Sequence, residues 1–175
     1  MATLIKERQI ATDSWRLLRD RADATRLPVP VDGDVIVPMQ RWLGEREQLA
    51  ARPGRIGVLL AGDDEPARIA EDLRLFGVVA VDFPRFTDGR GYSVGRLLRE
   101  RYGWRGEMRA VGDVQRDQLF YLARCGFDAF VLREGEDAAV ALTAFDDFSE
   151  RYQSAVDEPL PLFRRRGANG AAAGQ

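Results

Sequence analysis

The 175-residue chain contains no histidine and a single cysteine. Without imidazole or a second thiol, it cannot build a histidine triad, a histidine-ligated haem, an ordinary zinc site or a four-cysteine iron–sulfur cluster from its own residues. The expectation is therefore no metal site, no intrachain disulfide and no intrinsic cofactor. The residues leave open whether a flavin or nicotinamide nucleotide binds. An excess of charge of one sign is also missing. Lys and Arg number 26 against 28 Asp and Glu, a formal net charge of −2, so no global field draws nucleic acid or an anionic membrane. No apolar run approaches the roughly 20 residues of a spanning helix, and the opening Met1-Ala2-Thr3-Leu4-Ile5-Lys6 lacks the apolar stretch of a signal peptide. These absences lead to the expectation of a cytoplasmic protein with neither nucleic-acid nor membrane partners.

What is present is a repeated pattern of short apolar run, capping residue, amphipathic helix and glycine. Ile56 to Leu60 leads through Asp63 and Asp64 to a helical stripe of Ile69, Leu73 and Phe76, closed by Gly77. Val78 to Val81 leads through a long loop to Ser93, a good N-cap, and then to Val94, Leu97, Leu98 and Tyr102. Met108 to Val111, with Asp113 as cap, precedes Leu119 and Leu122. Ala129 to Leu132 precedes Ala141, Phe145, Phe148 and Tyr152. Four consecutive strand–helix units predict an α/β fold with a mostly parallel sheet. A doubly wound sheet is the first expectation, and half of a β/α barrel is the alternative, since only strand order separates them. Residues 1–34 read as a small N-terminal appendage and linker, 35–158 as the α/β domain, and 159–175 as a mobile tail.

In open parallel sheets ligands bind beyond the carboxyl ends of the strands. That edge draws attention to Asp82, Asp88 and Asp113 as candidate proton carriers. The stretch from Phe83 to Ser93 exceeds an ordinary strand–helix connection. Gly89 and Gly91, the helix start near Tyr92 and Ser93, and the guanidinium of Arg90, assisted by Arg85 or Arg109, would suit a small oxyanion. The competing reading is a surface loop whose Asp88 pairs with Arg90, with Asp64, Ser93 and Asp113 serving only as caps. Gly89, Gly91 and Gly95 lie too far beyond the strand for a dinucleotide clamp. Cys125, near a helix C-terminus, reads as a structural thiol.

The run Val79-Ala80-Val81-Asp82-Phe83-Pro84-Arg85-Phe86-Thr87-Asp88-Gly89-Arg90-Gly91-Tyr92-Ser93 is followed by Arg96-Leu97-Leu98-Arg99, Arg109-Ala110-Val111-Gly112-Asp113-Val114, Asp117-Gln118-Leu119 and Gly126-Phe127-Asp128-Ala129-Phe130. These segments, with Val35-Ile36-Val37-Pro38 and Trp42-Leu43 upstream, resemble a bacterial family described as probable oxidoreductases of sulfite reduction and encoded beside sulfite reductase. The resemblance implies a pathway, assimilatory sulfite reduction, and carries no catalytic residue with it. It leaves two expectations. One is an oxidoreductase or anion-binding subunit acting on a small oxyanion. The other is a non-catalytic partner docking on sulfite reductase or its electron donor, with Trp104 and Tyr92 as docking aromatics among arginines.

Overall fold

The computed structural model describes residues 3–19, 27–146 and 156. The expected tail at 159–175, and the positions Phe148 and Tyr152 of the last helix, lie outside the described residues. Eight strands form one sheet: β1 (Leu4–Lys6), β2 (Gln9–Ala11), β3 (Trp15–Leu17), β4 (Asp34–Pro38), β5 (Ile56–Leu60), β6 (Phe76–Phe83), β7 (Glu107–Gly112) and β8 (Ala129–Val131). Their order is β2-β1-β8-β7-β6-β5-β4-β3. From β3 to β8 every neighbouring pair is parallel, while β1 is antiparallel to both β8 and β2. Helices α1 (Met39–Ala50), α2 (Arg90–Glu100), α3 (Arg116–Arg124) and α4 (Ala138–Thr143), with the 3₁₀ helix Pro66–Leu75, fill the connections.

This order corrects the expectation of a doubly wound sheet. Double winding requires a point at which the strand order reverses, whereas here β3 to β8 follow one another in sequence order. The sheet is a curled half-barrel of mixed direction, and more than four strand–helix units build it. The expected N-terminal appendage is instead both edges of the sheet, β1 and β2 on one side and β3 on the other. From Ala11 at the end of β2 to Trp15 at the start of β3 is four Cα steps, a reach of roughly 14 Å. Eight flat strands would hold their outer members roughly 34 Å apart. Thr12, Asp13 and Ser14 thus form a strap that is possible only because the sheet curls its edges together.

Period-two alternation divides the side chains between two cores. Val58 and Leu60 of β5, Val79, Val81 and Phe83 of β6, and Met108 and Ala110 of β7 share the larger core with Trp42, Leu98, Leu119 and Leu122 of the helices. Ile36, Leu59, Val78, Ala80 and Val111 form the second, lined by Trp15, Leu17 and Val131. Burial on both faces explains why Val78 to Val81 is an unbroken apolar run. Two local expectations change. Helix α2 starts at Arg90, so Ser93 sits exposed inside it and is no cap. The cap of α3 is Gln115, in a reciprocal capping box with Gln118, which frees Asp113 for another task.

Candidate site at the carboxyl rim

Gly112 ends β7 at φ +106°, and a Cβ there would lie 2.4 Å from the Phe83 carbonyl oxygen. Glycine therefore lets the chain turn tightly against β6, and the Asp113 N–H donates to that same oxygen at 2.7 Å. The Asp113 carboxylate then reaches across to the loop after β6 and accepts from the Phe86 N–H at 3.0 Å. Its other oxygen accepts from Gln115 Nε2 at 3.0 Å and from Arg133 at 3.4 Å. The Gln115 bond first, then the Phe86 N–H, holds this carboxyl below the usual aspartate range. Asp113 is a pin for the loop.

The other two candidate acids are equally engaged. Asp82 accepts both terminal nitrogens of Arg19, at 2.6 and 2.8 Å. Asp88 accepts Nε and a terminal nitrogen of Arg90 at 3.0 and 2.7 Å, and also the Arg90 backbone N–H at 3.2 Å. The Arg90 guanidinium, and after it the Arg90 backbone N–H, lowers the Asp88 carboxyl to about 2. Asp88 thus occupies, at the start of α2, the place that an external oxyanion would take. Its depressed pKa makes this clasp fully present above the ordinary value of 3.8. The clasp is lost as pH falls through about 2. NMR titration of the carboxyl carbons is expected to give Asp88 a midpoint near 2. In Arg90→Ala the midpoint should rise toward the ordinary 3.8, held below it by the backbone N–H that alanine retains, and an unchanged midpoint would refute the clasp.

The remaining candidates are dispersed. Gly89 is the cap position of α2. Gly91 is buried, and a Cβ on it would fall 2.7 Å from the Phe83 ring, so this glycine serves packing. Arg85 is exposed and makes no ion pair among the described residues. Arg109 is absent from the rim: its side chain, 3% exposed, is held by Glu107 and Asp13. Trp104 is buried, with its indole N–H donating to the Glu107 carbonyl. The Cys125 thiol is buried and pushed up by that burial.

An aromatic group does converge at the rim. Tyr92 packs edge-on against Phe83 at 5.2 Å and lies 5.0 Å from Tyr121. Gln118 Nε2 donates to both the Phe86 carbonyl and the Tyr92 hydroxyl, each at 3.4 Å, which joins loop and helix into one face. Phe86 and Tyr121 are 45% and 55% exposed on that face. Tyr121 escaped the sequence reading because it lies off the apolar stripe of α3. Its signal is an aromatic three positions after the capping-box glutamine, on the side turned away from Leu119 and Leu122. Among the described residues no group of three or more acidic or Cys side chains could hold a metal, and no helix is long and apolar enough to cross a membrane.

The model of a family described as bacterial proteins of unknown function (DUF934) matches residues 57–163. The chain belongs to this family. The match begins inside β5 and takes in β6, β7, β8 and the whole rim, while the strap and β4 lie before it. No curated protein matches the chain.

Proposed function

We propose that this family member is a non-catalytic accessory protein of assimilatory sulfite reduction, docking through the loop after β6 onto sulfite reductase or its electron donor. The pathway rests on the resemblance of the segments from Val79 to Phe130. The docking role is supported by one observation above the others. Asp88 and Asp113 brace the loop after β6, while that loop and α3 present Phe86 and Tyr121 to solvent, and Arg85 next to Phe86 makes no ion pair among the described residues. A proton carrier should sit within hydrogen-bond reach of a substrate. Asp82, Asp88 and Asp113 instead accept from protein donors on both oxygens. Exposed aromatics with arginine on a rigid support are the composition of docking centres.

A deletion strain should grow poorly on sulfate or sulfite and recover fully with sulfide. Complementation with a Phe86→Ala, Tyr121→Ala double variant that folds normally should fail. Normal growth of the deletion strain on sulfate, with no second copy of the gene, would overturn the pathway assignment. Full complementation by the double variant would overturn the docking face.

A further inference from the structure

Arg109 is the least exposed charged residue among the described residues, at 2%, and the rim does not use it. It projects from β7 into the curl, on the face shared with Ala80 and Val111. There it lines a cavity of about 250 Å³ that opens where β6 and β7 begin, near Gly77 and Glu107. The charges lining this cavity are unbalanced: Lys6, Arg55 and Arg109 face it against the single carboxylate of Glu107. Each arginine also has an acid partner that is not itself a lining residue, Asp34 for Arg55 and, in the strap between Thr12 and Ser14, Asp13 for Arg109.

The cations are held in place before any ligand arrives. Glu107 takes Arg109 at Nε and one terminal nitrogen, 2.8 and 2.6 Å, and Asp13 takes the other terminal nitrogen at 2.9 Å. A guanidinium has five N–H donors, so at least one remains for a guest. Lys6 is anchored by Glu107 at 2.9 Å with two ammonium protons left over. The Arg55 guanidinium lies 4.9 Å from the centre of the Trp15 ring. That ring stands where a Cβ on Gly77 would meet it at 2.8 Å, so Gly77 makes room for the wall that carries Arg55. Thr12 and Ser14, the hydroxyl residues of the strap, complete the lining with two further donors.

We propose that this cavity binds a small divalent inorganic oxyanion of the sulfate or phosphate type, held by Lys6, Arg55 and Arg109 and closed over by the strap. Forks and ammonium groups converging from different strands favour a compact anion with several acceptor oxygens over chloride. Because the strap joins the two edges of the sheet, a guest that bonds both strap and strands stabilises the closed curl. The site is separate from the docking face and stands or falls without it.

Calorimetric titration of the full chain with sodium sulfate, and separately with sodium phosphate, at ionic strength held constant with sodium chloride, tests this directly. One saturable site per chain is expected, with sulfate raising the melting temperature above that in chloride. Lys6→Gln and Arg55→Gln alter side chains that reach solvent, 41% and 65% exposed, so both should fold. Each should weaken binding about tenfold and abolish the melting shift. Arg96→Gln, which alters a surface pair with Glu100, should leave both unchanged. Absence of saturable binding by either anion would overturn the site, and so would affinity indifferent to both Lys6→Gln and Arg55→Gln.

Discussion

Replacing Arg99 by methionine is expected to lower the unfolding free energy by about 3 kcal/mol, roughly 1 kcal/mol for each of the three backbone carbonyls that lose its N–H donors. Arg99 projects from α2 with its side chain 9% exposed, and its guanidinium ties together chain segments that share no strand. It donates to the carbonyls of Gly126, Trp104 and Gly106 at 2.8 to 2.9 Å and to the Asp128 carboxylate at 2.8 Å. Methionine fills the volume and satisfies none of these acceptors, so the loss arises from stranded carbonyls as well as from the broken pair. The partner behaves differently. Burial raises the Asp128 carboxyl above its ordinary value, even though the Met108 N–H and Arg99 oppose that rise. The native state then holds the proton more tightly than the unfolded chain, so stability falls as pH rises from 3.8 through the raised value. Urea unfolding of Arg99→Met at neutral pH measures the first effect, and a loss under about 1 kcal/mol would show that water replaces the guanidinium without cost. Asp128→Asn should lack the pH-dependent decline. A profile parallel to that of the parent protein would contradict the raised carboxyl.

Gly112→Ala is expected to cost about 3 kcal/mol, combining the left-handed penalty with a clash that a backbone carbonyl cannot relieve. A useful contrast is Gly103, which also has positive φ, +66°, but nothing within 4 Å of a Cβ. Gly103→Ala should cost only the conformational part, about 1 kcal/mol. If the two substitutions cost the same, the close approach of Gly112 to Phe83 does not constrain the rim. The Gly112 substitution should also free the loop after β6, because it displaces the Asp113 carboxylate that holds the Phe86 N–H. Hydrogen exchange at Phe86 is the readout, and faster exchange is the expected result.

Much of the fold was legible in the sequence, and the illegible part has a definite cause. The apolar runs of β5, β6, β7 and β8 are buried on both faces, so their positions stand out. The same property hides their order, because doubly wound and singly wound sheets demand identical runs. Strands of three residues, such as β1, β2 and β3, are too short for alternation to register, and so both sheet edges read as an appendage. Asp82 and Asp113 lie at the ends of β6 and β7, where the strand-end rule directs attention. Whether Arg90 would face a ligand or Asp88 depended on side-chain geometry that spacing does not encode. Arg109 was misplaced for a register reason: one step along β7 changes the face, and only the pairing of Arg109 with Ala80 shows that it enters the curl. Arg99, Gly126 and Asp128 stand in the segments of the family resemblance, yet only the fold reveals that they form one structural knot.

Purified sulfite reductase and, separately, its electron donor, each titrated calorimetrically with the full chain, provide the most direct measurement of the docking role. One of the two is expected to form a saturable complex that Phe86→Ala and Tyr121→Ala each weaken at least about tenfold. Val140→Ala, which trims an apolar residue 52% exposed on α4, should leave the complex intact. Binding to neither protein, or sulfite turnover by the isolated chain in the presence of a reductant, would contradict the account.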